Sequence, residues 1–337
     1  MIVLGIESTA HTFGVALLDV HSFSEKKVLC NLRDLYTTEK GGLIPNKLAD
    51  HHEKVCDGLL RKAFAQTGLS MQDIGLIAFS NAPGLGHALK VGAVFARSLA
   101  MLHRKPIVGV NHCIAHLEVA SLVTDAKDPV LLYCSGANTQ VIAYDGGTYR
   151  VFGETLDIGI GNFLDTFARD LGLGFPGGPK IEKLALDGKK YFPLPYSVKG
   201  MDVAFSGILT HLERKHLGKV KGGNEKVEDV CFSVQETVFA MLVEVAERAM
   251  AHCDKSELVL GGGVACNKRL QEMCRLMCAA RGATCFIPEN EFLVDNAAMI
   301  AWTGWVMHAR GDVADDAATL KMKPYERTDE VEVTWRD

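Results

Sequence analysis

Two histidines separated by four positions are the residues of this sequence best suited to chemistry. His112 and His116 lie in GVNHCIAH, and the residues that follow, LEVASLV, continue a helical pattern. Histidines four positions apart project from one helix face, about 6 Å from each other, which suits a shared metal ion. The motif is not the HExxH of zinc proteases, because Cys113 stands where that motif has its catalytic glutamate.

A metal ion held by two histidines needs a further ligand, and Asp295 is the best candidate. It lies in FLVDNAAMIA, directly before a predicted helix, where an aspartate often serves only as the N-cap. Two histidines and one carboxylate would leave coordination positions open, as catalytic metal sites do. Imidazole and carboxylate ligands accommodate either iron or zinc.

Three polar or glycine-rich turns, each after a predicted strand, indicate nucleotide binding. They comprise residues 7–9, 135–138 and 261–263. Such turns let backbone N–H groups approach a phosphate or a ribose, and a helix after the last turn adds its positive N-terminal end. The sequence has neither a GxxxxGK[ST] loop nor GxGxxG, which argues against P-loop NTPases and dinucleotide dehydrogenases.

The elements that would position these residues occur in the same order twice. The strand-like runs IVLGIE, GVALLDV and KVLCNLRDL precede a helix over 46–67, and PVLLYCS, QVIAYD and YRVFGETL precede a helix over 162–171. LIAFS, IVGV and ELVLGGG predict further strands that alternate with helices. We therefore predict an α/β fold of two related lobes with a ligand cleft between them. Residues 1–128 would carry the histidine pair and 129–337 the nucleotide-binding loops, with the last helix able to pack back on the first lobe.

Composition narrows the class of protein. The 337 residues exceed the roughly 250–300 at which a single core stops growing, and 48% apolar residues are typical of a folded globular protein. The first strand has no basic leader before it, and no apolar run approaches the roughly 18 residues that cross a membrane. The ten cysteines include no CxxC pair. We therefore predict a cytoplasmic protein with reduced thiols and no membrane association.

The net charge of −5 bears on any nucleic-acid partner. A protein that neutralised many phosphates alone would carry a basic excess, so such a partner would need a local basic patch or other subunits. The best local patch, which also fits an ordinary solvated surface, consists of Arg214, Lys215, Lys219, Lys221 and Lys226.

In their order along the chain, these motifs resemble those of the universal threonylcarbamoyl transferase family. The resemblance is to its archaeal and eukaryotic branch, the catalytic subunit of the KEOPS complex, and it covers essentially the entire chain. It is carried by GIESTAHT, APGLGHALKVG, GVNHCIAH, LYCSGANTQVIAY, FGETLDIGIGNFLD, PGGPKIEKLA, GGGVACNKRL and DNAAMIA. It implies a two-lobed actin-like (ASKHA, RNase H-like duplicated) fold with a nucleotide cleft between the lobes.

The resemblance also implies roles for individual residues. His112, His116 and Asp295 would ligate one iron or zinc ion per subunit, and Tyr133 would approach or ligate the same ion. Asp165 and Glu182 match ribose-binding carboxylates, although either could be an ordinary helix-surface acid. No catalytic residue is assigned beyond the metal ligands. The positions matched to substrate binding are Tyr133, Cys134, Ser135, Gly136, Ala137, Asp165, Gly178, Glu182 and Asn267.

One loop departs from the family pattern. The substrate loop usually reads SGGNTQ, whereas Ala137 here replaces the second glycine. If position 137 required a positive φ, alanine would be strained by about 1 kcal/mol.

The activity that the resemblance implies is transfer of a threonylcarbamoyl group to tRNA. The donor would be threonylcarbamoyl-AMP, the acceptor the exocyclic amine of the adenosine that follows the anticodon in tRNAs reading ANN codons, and AMP would leave. The metal ion would polarise the carbamoyl carbonyl or neutralise charge on the leaving phosphate. ATP with Mg²⁺ is a further expected ligand. The implied partners besides tRNA are a small kinase-like ATPase, a dimerising subunit and a small regulatory subunit.

Three other functions fit parts of the sequence. An ATP-hydrolysing switch or small-molecule kinase would share the actin-like fold, but such kinases hold magnesium on carboxylates without imidazoles. A metalloprotease is disfavoured because the HExxH glutamate is missing. A non-catalytic scaffold is a third alternative, which nucleotide binding compared with an Asp165→Ala variant would test.

Overall fold

A computed structural model describes residues 1–37, 44–311 and 314–336. The chain forms two compact units, of which unit 1 comprises Met1–Asp125, Asp145–Tyr149 and Asp295–Asp337, and unit 2 comprises Ala126–Tyr144 and Arg150–Val294. Among the described residues, no helix is both long and apolar enough to span a membrane.

The secondary structure alternates between strands and helices, as the sequence predicts. The described strands are β1 (Ile2–Glu7), β2 (Thr12–Val20), β3 (Lys26–Leu35), β4 (Ile74–Ala82), β5 (Ile107–Asn111), β6 (Val130–Cys134), β7 (Thr139–Asp145), β8 (Thr148–Glu154), β9 (Val198–Lys199), β10 (Asp202–Val203), β11 (Glu257–Gly261) and β12 (Thr284–Phe286). The described helices are α1 (Pro45–Thr67), α2 (Gly86–His103), α3 (His112–Val123), α4 (Ile160–Asp170), α5 (Gly178–Ala185), α6 (Ser206–Leu212), α7 (Gly218–Lys221), α8 (Val227–His252), α9 (Lys268–Ala280), α10 (Asn290–Leu293) and α11 (Ala297–Gly311).

Unit 1 is built on a five-stranded mixed sheet with the strand order β3-β2-β1-β4-β5. β1 pairs antiparallel with β2 and parallel with β4, and β4 pairs parallel with β5. The carboxyl ends of β1, β4 and β5 therefore lie at one edge of the sheet. In sheets of this kind, ligands bind outside the carboxyl ends of the parallel strands.

Helix α11 lies unusually close to one face of this sheet. A Cβ atom at Gly5 would lie 2.2 Å from the Ala297 carbonyl oxygen and 2.8 Å from the Ala301 Cβ atom. The opposite face of β1 presents Leu4 and Ile6 to a core that includes residues of α1 and α2. Glycine at position 5 is thus what lets α11 pack directly on β1, and α11 also contacts α3.

Unit 2 repeats the arrangement of unit 1. Its sheet has the order β12-β11-β6-β7-β8, in which β6 pairs antiparallel with β7 and parallel with β11. Read from the other edge, the order is β8-β7-β6-β11-β12, so three strands that are consecutive in sequence are followed by two later ones. The sheet of unit 1, read from β3, has the same pattern. The predicted α/β fold and its internal repetition are confirmed. The long helix α8 is buried along much of its length and packs against α5, α9 and β6.

Candidate functional site

The two histidines are positioned by the junction between β5 and α3. Asn111, the last residue of β5, caps the helix because its Oδ1 accepts hydrogen bonds from the backbone N–H groups of Cys113 and Ile114, at 3.0 and 3.3 Å. Helix α3 therefore starts at His112 and places His116 one turn further on the same face. Both residues are buried, with 4% and 1% of their surfaces exposed.

Asp295 comes between α10 and α11 and reaches both histidines. Its Oδ1 atom lies 3.4 Å from His112 Nε2 and 3.5 Å from His116 Nε2. The three potential ligand atoms all lie within 4.8 Å of one another. Nitrogen and oxygen ligands at the usual 2.0–2.1 Å from a tetrahedral zinc ion are roughly 3.3 Å apart, so the cluster has the spacing of a metal site.

The alternative interpretation of Asp295 as a helix cap is not what the structure shows. Asn296 performs that role, because its Oδ1 accepts a 3.0 Å hydrogen bond from the backbone N–H of Met299. The carboxylate of Asp295 is thereby left to interact with the two histidines.

The charge state of the cluster suits a cation. Burial acts to raise the pKa of Asp295, but the two neighbouring imidazoles of His112 and His116 outweigh that effect and hold the pKa well below its usual range. Burial also lowers the pKa of His116, which keeps its imidazole neutral. An ionised carboxylate beside neutral imidazole is a donor set that iron and zinc accept.

A second carboxylate, Glu7 at the end of β1, contacts the other ring nitrogen of His112. Glu7 is fully buried, and its Oε2 atom lies 3.0 Å from His112 Nδ1. Its Oε1 atom accepts hydrogen bonds from the backbone N–H and the hydroxyl of Thr9, at 2.6 and 2.5 Å. Sequence reasoning interpreted residues 7–9 as a polar turn that could approach a nucleotide and missed this contact, which joins positions 105 residues apart.

The predicted substrate loop of unit 2 is held by the start of α4. Tyr133 and Cys134 end β6 and are buried. The backbone N–H groups of Gly161 and Asn162 donate to the carbonyl oxygens of Ser135 and Gly136, at 3.1 and 2.9 Å. The loop thus has one defined conformation next to a helix N-terminus.

The neighbouring glycine-rich turn after β11 packs against the same loop. Gly262 has a φ of 89°, and a Cβ atom there would lie 2.3 Å from the carbonyl oxygen of Cys134. Only glycine fits this position. Among the described non-glycine residues, Arg104 and Asp254 have a positive φ. Ala137 is not one of them. The strain considered for Ala137 therefore does not arise.

The remaining predicted substrate residues lie around the starts of α5 and α9. Asp165 Oδ1 accepts a 2.7 Å hydrogen bond from the backbone N–H of Gly177, next to Gly178. Glu182 Oε1 accepts a 2.7 Å hydrogen bond from the backbone N–H of Lys268, the residue after Asn267.

Asn267 itself is the N-cap of α9. Its Oδ1 accepts from the backbone N–H groups of Arg269 and Leu270, and its Nδ2 donates to Gln235 Oε1 at 3.0 Å. Its interpretation as a helix-start residue is confirmed. Gln235, on α8, is a neighbour of this region that sequence reasoning did not identify.

The basic patch forms an exposed surface of unit 2. Its residues occupy a π-helical turn over Glu213–Leu217, helix α7 and the loop that follows. Lys219 Nζ lies 2.9 Å from Glu225 Oε1, and the other oxygen of that carboxylate lies 2.7 Å from Nδ1 of the buried His216. The remaining members of the patch, Arg214, Lys215, Lys221 and Lys226, are exposed.

Comparison with known proteins gives consistent matches. A family model described as tRNA N6-adenosine threonylcarbamoyltransferase matches residues 27–302. A protein of that name from Thermococcus kodakarensis is 56% identical over 335 residues, which cover 99% of this chain and 100% of the relative. The human protein of the same name is 50% identical and covers 99% of both chains. A probable bifunctional tRNA threonylcarbamoyladenosine biosynthesis protein from Methanosarcina mazei is 49% identical, over 99% of this chain and 59% of the relative.

Solved structures with the same fold are more distant in sequence. HypF from T. kodakarensis superposes with a TM-score of 0.61 at 14% identity, over 95% of this chain and 50% of the other. The activator of 2-hydroxyisocaproyl-CoA dehydratase from Clostridium difficile, solved with bound ADPNP, gives a TM-score of 0.54 at 12% identity, over 94% of this chain and 99% of the other. These similarities identify the fold as actin-like.

Proposed function

The chain belongs to the tRNA N6-adenosine threonylcarbamoyltransferase family, and we infer that it moves a threonylcarbamoyl group from threonylcarbamoyl-AMP to tRNA. The acceptor is the exocyclic amine of the adenosine that follows the anticodon in tRNAs reading ANN codons, and AMP is released. The observation that supports this most directly is the convergence of His112, His116 and Asp295. An actin-like kinase or ATPase would bind magnesium through carboxylates and would not need paired imidazoles.

The cluster would hold one iron or zinc ion through His112 Nε2, His116 Nε2 and the carboxylate of Asp295. A bound ion of either kind would act as a Lewis acid toward the carbamoyl carbonyl or the leaving phosphate. The neutral His116 ring keeps a lone pair available for such an ion, and the ionised Asp295 supplies a negative charge. Tyr133 is proposed as a further group that approaches the metal.

Unit 2 would bind the adenylate. Residues 133–137 would contact the acylated phosphate, because their backbone is fixed beside the N-terminus of α4. The carboxylates of Asp165 and Glu182 would accept hydrogen bonds from the ribose hydroxyls, with Gly178 and Asn267 next to the nucleoside. Both carboxylates are already oriented by backbone N–H groups, so little order would have to be gained on binding. ATP with Mg²⁺ would occupy the same residues.

Transfer would need protein partners in addition to tRNA. The proposed KEOPS-like subunits are a small kinase-like ATPase, a dimerising subunit and a regulatory subunit. The net charge of −5 supports this, since other subunits would supply part of the positive surface that tRNA requires. The bifunctional relative from M. mazei, of which this chain spans 59%, is consistent with a second activity that works beside the transferase.

A double variant tests the proposed reaction. We expect His112→Ala with His116→Ala to abolish incorporation of labelled threonine into tRNA, while nucleotide binding and the far-UV CD spectrum stay as in the wild type. His21→Ala, which changes an exposed histidine, is the matched control and should retain transfer. Full transfer by the metal-free double variant would exclude the metal role. Phosphate transfer to a small metabolite in place of threonine incorporation would favour the kinase alternative.

A further inference from the structure

We propose that Glu7 is a positioning residue of the proposed metal centre. Its carboxylate holds the imidazole of His112 in the tautomer and orientation that direct Nε2 toward Asp295. The proposal rests on the metal-binding function proposed above. It adds to that function a residue that is not itself a ligand.

The burial of Glu7 is the first observation that requires an explanation. The side chain is fully excluded from solvent, and the described residues provide it with no lysine or arginine partner. A buried carboxylate without a cationic partner is costly unless hydrogen bonds to it compensate. Thr9 provides two such bonds to Oε1, and His112 Nδ1 provides the third, to Oε2.

These contacts determine which nitrogen of His112 carries the proton. In the 3.0 Å contact between His112 Nδ1 and Glu7 Oε2, the ring N–H on Nδ1 donates to the carboxylate oxygen, as the Thr9 N–H and hydroxyl donate to Oε1. The lone pair of the neutral ring then lies on Nε2, the atom 3.4 Å from Asp295 Oδ1. Metal-ligating histidines generally donate their other N–H to such a group, which fixes the ring and raises its basicity.

The carboxylate of Glu7 is in turn held in place by a second loop. The Thr9 hydroxyl, which donates to Glu7 Oε1, also lies 3.2 Å from His112 Nδ1. The carbonyl oxygen of Thr9 accepts a 2.8 Å hydrogen bond from the backbone N–H of Leu85. A Cβ atom at Gly84 would lie 2.7 Å from that same oxygen, so the two loops are in direct contact. The orientation of His112 is therefore set by the ends of β1 and β4 as well as by its own helix.

Glu118 offers a matched control for Glu7. It is also a buried carboxylate in unit 1, 7% exposed, and it lies on α3 with the two histidines. Its Oε1 accepts hydrogen bonds from Tyr149 and Arg336, at 2.6 and 3.0 Å. Glu118→Gln should therefore destabilise unit 1, as Glu7→Gln should, but it should have no direct effect on His112.

The experiment measures Zn²⁺ affinity of the metal-free protein by competition with a chromophoric chelator, together with the thermal unfolding midpoint. Glu7→Gln should weaken Zn²⁺ binding by about 10–100-fold. Glu118→Gln should lower the unfolding midpoint and leave Zn²⁺ affinity unchanged. With Co²⁺ as a spectroscopic probe, Glu7→Gln should alter the visible absorption of the bound ion, and Glu118→Gln should not.

Wild-type affinity in a folded Glu7→Gln variant would overturn the proposal, and so would an equal loss in Glu118→Gln. If the wild type itself bound no Zn²⁺ or Co²⁺, the proposed metal centre would fail, which is a different result. If Glu7→Gln does not fold, Thr9→Val replaces it, because it removes the hydroxyl that holds Glu7 Oε1 and keeps the carboxylate. That variant should bind Zn²⁺ more weakly than the wild type, and unchanged affinity would contradict the role of Glu7.

Discussion

Replacing Gly5 by alanine should push α11 away from the sheet of unit 1. The new methyl group would lie 2.2 Å from the carbonyl oxygen of Ala297, whereas ordinary contacts begin near 3.4 Å. The obstacle is backbone, so the helix would have to retreat by about 1 Å in a core packed to crystal-like density. Overpacking of this kind costs up to about 3 kcal/mol, which corresponds to a midpoint lowered by about 6–12 °C.

The same displacement should weaken metal binding. Asp295 comes two residues before Ala297, and its carboxylate must stay close to two histidines on α3. Thermal unfolding of the metal-free protein by CD, followed by Zn²⁺ titration, measures both effects. Gly58→Ala is the control, because position 58 is exposed on α1 with open space around it, and this change should stabilise by about 0.5–1 kcal/mol. A Gly5→Ala variant that unfolds at the wild-type temperature would refute the close packing described for α11.

Three further predictions concern a helix cap, a buried histidine and the basic patch. Asn296→Ala should lower the free energy of unfolding in urea by about 1–2 kcal/mol and keep Zn²⁺ binding, whereas Asp295→Ala should abolish Zn²⁺ binding. An equal loss of Zn²⁺ affinity in both variants would contradict the separate roles of Asn296 as helix cap and Asp295 as metal ligand. Burial lowers the pKa of His52 from 6.5 to about 4, so its contribution to stability is complete above pH 6.5 and declines by about 3 kcal/mol as the pH falls to 4. His52→Gln should flatten that decline in urea midpoints measured against pH, and an unchanged slope would disprove the assignment. Charge reversal at Arg214 and Lys215 should weaken tRNA binding in filter assays, most strongly at low salt, and an unchanged Kd would exclude the patch.

Local sequence patterns were sufficient for much of the fold and for part of the site. The strands and the helices at 45–67 and 160–170 follow from hydrophobic periodicity, which depends on neighbours in sequence. The relation between His112 and His116 is likewise local, because a four-residue spacing on a helix fixes their common face. The structure places Asp295 close to both histidines, although nothing in its own segment shows what it contacts, and its role as a metal ligand stays a prediction.

Contacts between distant segments could not be predicted in the same way. Glu7 and His112 meet only because β1 and β5 end at the same edge of one sheet, and their residue types alone do not indicate the pairing. The choice between Asp295 and Asn296 as the cap of α11 depends on a shift of one residue, which propensity does not resolve. The need for glycine at position 5 likewise depends on α11, which lies far along the chain.

The discontinuity of unit 1 has a consequence for how the protein is made. At about 5–20 residues per second, a ribosome needs roughly 10–30 s to proceed from the end of the first segment, at Asp125, to Asp295. During that interval the nascent sheet lacks α11, and its apolar face is open to chaperones or to aggregation, while unit 2 emerges almost without interruption and can fold. The pair of histidines is synthesised early and its carboxylate partner late, so the proposed metal ion could be bound by all three residues only after Asp295 has been synthesised.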